Sequence, residues 1–165
     1  MLTFQQFRES LDTPAKVFVG PMMRGEVHAD FRIEGGFVYL MDFYKEQKNE
    51  QVFFGAPDVK GGDSYWVCDF RPSSETLNTM PRKMSLSQVG SYGVLGSGHQ
   101  FAVFAGALQA FKAFIAKYRP DCITFTGEED SRKRLYRRFV LLARKTLPGY
   151  AGKEIDSGVF AIYRR

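Results

Sequence analysis

At 165 residues the chain has the length of one domain, long enough to bury a core and too short for two comfortable ones. An apolar fraction of 44% with 16 Phe and 8 Tyr excludes a disordered chain, and no apolar run reaches membrane-spanning length. Lysine and arginine exceed aspartate and glutamate by 23 − 18 = 5, so the surface field favours anions: a phosphate-bearing cofactor, nucleic acid or an acidic partner.

Leu2, Phe4, Phe7 and Leu11 recur at near-helical spacing and predict a short helix over 3–11, ended by Asp12-Thr13-Pro14. Glu9 and its polar neighbours stand where a secretory signal needs unbroken apolar sequence, so no targeting segment is expected. From Lys16 to Phe70 the texture is β-rich: Val17–Val19, Phe31–Ile33, Phe37–Tyr44, Val52–Phe54 and Tyr65–Phe70. Gly35-Gly36 and Gly61-Gly62-Asp63 punctuate these runs as turns, which predicts a meander of antiparallel strands. Residues 71–87 are polar and hold Pro72 and Pro81; they read as a long surface connection, either lining a binding site or a plain loop.

Val89–Leu95 reads as a strand interrupted by Gly90 and Gly93. Beyond Gly96-Ser97-Gly98 comes the clearest helix, with Phe101, Phe104, Leu108, Phe111, Ile115 and Tyr118 on one face and Pro120 closing it. Cys122–Phe125 is a short buried strand. Asp130 or Ser131 then caps a second helix running to about Leu147. Its apolar arc is Leu135, Tyr136, Phe139, Leu142, Ala143 and Leu147; its basic arc is Lys133, Arg134, Arg137, Arg138, Arg144 and Lys145. Gly149 stops that helix and Val159–Tyr163 is the last strand. Cys68 and Cys122 sit in apolar runs without a partner at metal-ligand spacing, which predicts buried reduced thiols and a cytoplasmic protein. The whole order predicts an α+β domain.

Val94-Leu95-Gly96-Ser97-Gly98-His99-Gln100 is a strand, glycine turn and helix start, an arrangement that offers backbone N–H groups and a helix dipole to phosphate, or serves only for tight geometry. It is not a P-loop, because no Lys-Ser or Lys-Thr follows the glycines, and the third glycine of a dinucleotide fingerprint would fall at Phe101.

Antiparallel strands, a strand leading into V-L-G-S-G-H, a long helix, a short strand, a helix containing Leu135-Tyr136 and a terminal strand resemble the GNAT superfamily of acyl-CoA-dependent acyltransferases. The run from Thr124-Phe125-Thr126 through Ser131–Arg138 to Pro148-Gly149-Tyr150 also resembles GNAT-type proteins encoded by bacteriophages, which implies the cytoplasm of a bacterial host. The resemblance covers residues 88–165; the first half shares only its strand count. It implies a GNAT-like mixed, mostly antiparallel sheet flanked by helices, with acetyl-CoA contacted by Val94, Leu95, Gly96, Ser97, Gly98, His99, Gln100, Phe101 and Arg132. It further implies that coenzyme A lies between the strand ending at Leu95 and the strand ending at Phe125, and that Tyr136 protonates the departing thiolate. One departure is Gly93, which stands where the family carries Arg or Gln.

Transfer to an amine, whether on a small molecule or a protein lysine, also needs a proton acceptor. Asp69 and Glu75 are the carboxylate candidates, and His28 is a third. Tyr136 lies on the apolar arc of its helix, so a core role stays open beside the acid role. The basic arc is open to two readings as well: a solvated face, or a docking surface for a host protein on a GNAT-like scaffold with reduced turnover. Aromatic residues do not interleave with those cations, which disfavours stacking of single-stranded nucleic acid and leaves nucleic-acid binding to rest on charge alone.

Overall fold

The computed structural model describes residues 16–33, 36–46, 64–79, 100–128 and 130–165. The predicted helix over 3–11, the strand at Val52–Phe54, the strand at Val89–Leu95 and the glycine turn lie outside the described residues. The described residues form seven strands: β1 (Lys16–Val19), β2 (Glu26–Arg32), β3 (Val38–Glu46), β4 (Tyr65–Pro72), β5 (Cys122–Thr126), β6 (Tyr150–Asp156) and β7 (Val159–Arg164). The described helices are α1 (Ser74–Thr79), α2 (Gln100–Tyr118) and α3 (Asp130–Thr146). Together they make an α+β fold with a mostly antiparallel sheet.

The strands form one sheet in the order β1-β2-β3-β4-β5-β7-β6. The first four follow chain order, as a meander does, whereas β7 inserts between β5 and β6. Antiparallel ladders join β1 to β2, β5 to β7 and β6 to β7, while β4 and β5 run parallel. A parallel pair needs a crossover, and α2 lies in the chain between these two strands.

The residues cluster into two units. The first holds β1, β2 from His28, β3 as far as Asp42, β4 from Phe70, α1, and α2 as far as Phe114. Its core rests on strand alternation: Ala29 and Phe31 of β2 and Tyr39 and Met41 of β3 are buried, and Phe31, Tyr39 and Phe70 stack with ring centroids 5.5 to 6.1 Å apart. A Cβ on Gly106 of α2 would overlap the Phe31 ring, so glycine there lets the helix lie directly on the strand.

The second unit holds the rest, including β5, α3, β6 and β7. Phe125, Phe139, Phe160 and Tyr136 form its aromatic centre, with Phe125 edge-on to Tyr136 at 4.9 Å and to Phe139 at 5.9 Å. Helix α3 comes so close to β6 that a Cβ on Gly152 would sit 2.7 Å from the Val140 carbonyl oxygen.

Three sequence expectations change. The polar stretch after Phe70 is not all connection: Arg71 and Pro72 complete β4, and Ser74–Thr79 is helical. Ser73 provides the reason, because its hydroxyl accepts the Thr76 N–H as an N-cap while Thr76 Oγ1 engages both the N–H and the carbonyl of Val38. Strand β2 starts at Glu26 rather than Phe31, its polar residues alternating with buried Val27, Ala29 and Phe31. Strand β6 is new; its sequence, YAGKEID, has too few apolar residues to announce a strand.

Candidate functional site

In the first unit, alternation along β2 turns Ala29 and Phe31 inward and leaves His28 outward. Along β3, Tyr39, Met41 and Phe43 take the core face, so Asp42 takes the other. Asp42 is nevertheless only 4% exposed. Its Oδ1 accepts a hydrogen bond from His28 Nδ1 at 2.6 Å and its Oδ2 accepts one from Arg71 at 3.1 Å. The two donors are themselves open to solvent, with side chains 64% exposed in His28 and 56% in Arg71. An ionised carboxylate can only accept, so the His28 ring carries a hydrogen on Nδ1. The geometry is that of an imidazole oriented by a carboxylate.

Of the three base candidates, His28 alone belongs to this group. Asp69 is exposed on the same face of β4 as Arg71, and Glu75 is exposed in the first turn of α1. Among the described residues neither carboxylate enters the His28–Asp42–Arg71 cluster. Sequence reasoning missed Asp42 and Arg71. Asp42 carried a signal nonetheless: a lone carboxylate inside the apolar run Phe37–Tyr44 must be satisfied if it is buried.

In the second unit, Asp121 locks the starts of β4 and β5 together. Its Oδ2 accepts the Ser64 N–H at 3.1 Å, its own N–H donates to the Ser64 carbonyl at 2.7 Å, and its Oδ1 accepts from Arg164. Among the described residues the parallel ladder then covers Tyr65 to Val67 against Cys122 to Thr124. Past it, β5 ends at Thr126, Gly127 donates its N–H to the Gly158 carbonyl at 2.8 Å, and α3 begins at Asp130. A Cβ on Gly127 would stand 3.1 Å from the Tyr136 ring and 3.2 Å from Arg132 Cγ, so this glycine lets both side chains close over the end of β5.

Tyr136 is 9% exposed and held edge-on by Phe125 and Phe160. Its ring is a core element, as its place on the apolar arc implied. Arg132 Nε is buried and has no hydrogen-bond partner among the described residues. Of the loop residues expected to contact a cofactor, Val94, Leu95, Gly96, Ser97, Gly98 and His99 lie outside the described residues; Gln100 and Phe101 open α2. The strand Val89–Leu95, expected to flank the cleft, lies outside the described residues; among the described residues the parallel neighbour of β5 is β4.

The basic arc of α3 divides. Arg137 forms a two-pronged pair with Glu154 of β6, at 2.8 and 3.0 Å. The hydrogen bond to Arg137, joined by one from the Gly158 N–H, holds the Glu154 carboxyl below its ordinary value. Arg134, Arg138, Arg144 and Lys145 are exposed, and Leu141 stands among them at 74% exposure.

Both cysteines are buried and reduced, and burial pushes the Cys122 thiol up to about 12. At neutral pH Cys122 is therefore a protonated core residue and not a nucleophile. Among the described residues no group of three or more His, Cys, Asp or Glu side chains could hold a metal ion, and no helix is long and apolar enough to cross a membrane. No family model, curated protein or solved structure matches the chain.

Proposed function

We propose that this chain is a GNAT-like N-acyltransferase that moves an acetyl group from acetyl-CoA to an amine by direct attack. The observation that carries the reading is the parallel β4–β5 pair within a mostly antiparallel sheet, with β5 passing through Gly127 into α3. Ligands of open sheets collect beyond the carboxyl ends of parallel strands, where backbone groups leave the ladder and a helix amino terminus is close.

The residues at that end suit an anionic, carbonyl-bearing ligand. Arg132 brings a buried Nε that a phosphate or carbonyl oxygen would satisfy, and Gly127 keeps the approach narrow. The first-turn backbone N–H groups of α3 add a positive dipole end. Acetyl-CoA supplies an activated thioester when bound. Tyr136, its ring fixed by two aromatic neighbours, carries the hydroxyl that donates a proton to the leaving thiolate.

Thiol release from acetyl-CoA, measured against a panel of small amines and lysine peptides, tests this reading. The expected result is release that requires the amine, with Tyr136→Phe lowering kcat by roughly 10- to 100-fold while the folded protein keeps its acetyl-CoA affinity. Amine-independent signal alone, or Tyr136→Phe at wild-type rate, contradicts the mechanism.

A second reading has its own observation, the exposed Leu141 among the cations of α3. An apolar residue ringed by arginine and lysine suits an acidic partner protein, with turnover reduced or lost. Arg134→Glu with Arg138→Glu should then abolish capture of a stoichiometric partner that Tyr136→Phe still captures. Capture unaffected by the charge reversal refutes it. Nucleic-acid retention with a steep salt slope would replace both protein readings of this face.

A further inference from the structure

Among the described residues the exposed large apolar side chains are Phe18, Met22, Met23 and Leu141, and Leu141 is the most open of them. A single exposed leucine is ordinary on a protein surface. The surroundings of Leu141 are less so. On a helix the nearest surface neighbours of a residue stand three and four positions away, and for Leu141 all four are cations: Arg137, Arg138, Arg144 and Lys145. Arg138, Arg144 and Lys145 are exposed, and among the described residues Arg137 alone of the four is paired with a carboxylate, that of Glu154.

Folding does not require this arrangement. Helix α3 seats itself in the second unit through Tyr136, Phe139, Val140, Ala143 and Leu147, all buried on its other side. Arginine and lysine form helices as readily as leucine, so propensity does not call for Leu141 either. Arg134 repels Arg137 and Arg138 one turn on, so the cations weaken α3 rather than support it. An apolar centre inside a charged rim is the anatomy of a contact surface.

Arg134, Arg138, Leu141 and Lys145 follow one another at steps of four, three and four, a stripe about 16 Å long on one side of α3. We infer that this stripe docks an acidic amphipathic helix of a partner protein, which rests on the partner-binding reading above and gives that partner a shape. The spacing is that of a helix-packing seam, in which one side chain enters a hole formed by four residues of the facing helix. Leu141 is the side chain that enters, and Asp or Glu on either side of the hole meet Arg138, Arg144 and Lys145. A nucleic acid would engage the cations through its phosphates and leave Leu141 uncovered at the centre of the contact. An extended acidic segment offers the charge without the hole. A seam of about three turns is small, so the complex is transient and salt-sensitive.

The experiment titrates the full chain with three labelled probes: a three-heptad acidic peptide with a leucine seam, the same peptide interrupted by central prolines so that it cannot be helical, and a DNA duplex. The helical peptide should bind, the interrupted one at least about 10-fold more weakly, and both less well as salt rises. Leu141→Ser, in protein whose melting temperature matches wild type, should weaken the helical peptide by roughly 10-fold or more. Arg138→Glu with Lys145→Glu should abolish that binding and instead bind the peptide with its Glu replaced by Lys. Arg137→Ala should weaken binding less than Arg138→Ala, because Glu154 already neutralises Arg137. Equal affinity for the helical and interrupted peptides, or wild-type affinity in Leu141→Ser, overturns the helix-docking inference and leaves the acidic-partner reading standing. No binding of either peptide, or tighter binding of the duplex, overturns both.

Discussion

Three glycines of the second unit separate two costs that alanine can incur. Gly149, which ends α3, has φ +81° with open space where a Cβ would go, so Gly149→Ala meets only the left-handed backbone penalty, roughly 1–2 kcal/mol. Gly152 has no such backbone requirement, but its Cβ would lie 2.7 Å from Val140 O and 2.8 Å from Val140 Cα. Those atoms are backbone, so α3 must lift from β6, an overpacking cost of roughly 1–3 kcal/mol. Gly158 carries both: φ +77°, and a Cβ 2.6 Å from the Gly127 carbonyl oxygen at the end of β5. Gly158→Ala should therefore cost roughly 2–5 kcal/mol, the sum of the two. Urea unfolding followed by Trp66, the single tryptophan and a residue of β4, reads all three variants against wild type at common slope. Gly158→Ala no more destabilised than Gly149→Ala, or Gly152→Ala within about 0.5 kcal/mol of wild type, would refute the steric reasoning and with it the close seat of α3 and the β6–β7 turn on β5.

Alkaline pH should destabilise the fold from its core. Burial pushes Tyr39 from 10.0 and Cys122 from 9.0 up to about 12. Their stabilisation is complete below the lower values and is lost as pH rises towards 12, because the unfolded chain then loses protons that the folded one keeps. Tm measured across this window should fall less steeply in the Tyr39→Phe, Cys122→Ala double variant; an unchanged slope contradicts the assignment. At acid pH the exposed Arg137–Glu154 pair makes a small contribution. Glu154 is held below 4.5, chiefly by the Arg137 hydrogen bond, so its contribution is present above that pH and is lost as pH falls through the depressed value. Any stability difference between wild type and Arg137→Ala should shrink on acidification, and a difference that grows would refute the pairing.

Much of the fold was legible because its strands and helices follow simple periods. The face Phe104, Leu108 and Phe111 predicted α2, and Tyr136, Phe139, Ala143 and Leu147 predicted α3, all of them buried. The apolar runs at Tyr65–Phe70, Cys122–Phe125 and Val159–Tyr163 marked β4, β5 and β7 to within two residues at each end. Strand β6 was hidden because it is an edge strand with Lys153, Glu154 and Asp156 in its second half, and because the residue facing α3 is a glycine. The His28–Asp42 pair was hidden for a different reason. The residues stand 14 apart on two strands, and only the register of β2 against β3, which no local pattern states, brings them within a hydrogen bond. Arg71 was read as loop because Pro72 follows it; the proline instead closes β4, where its missing N–H is tolerated.

The most direct test of the account is calorimetric titration of acetyl-CoA into the purified full chain, beside Arg132→Ala and Gly98→Trp. The account predicts saturable binding in the wild type, weakened by Arg132→Ala and abolished by Gly98→Trp in proteins whose melting temperatures match. No heat of binding to the folded wild type, or binding indifferent to both substitutions, would contradict the acyl-CoA site and leave the cationic face of α3 as the functional surface.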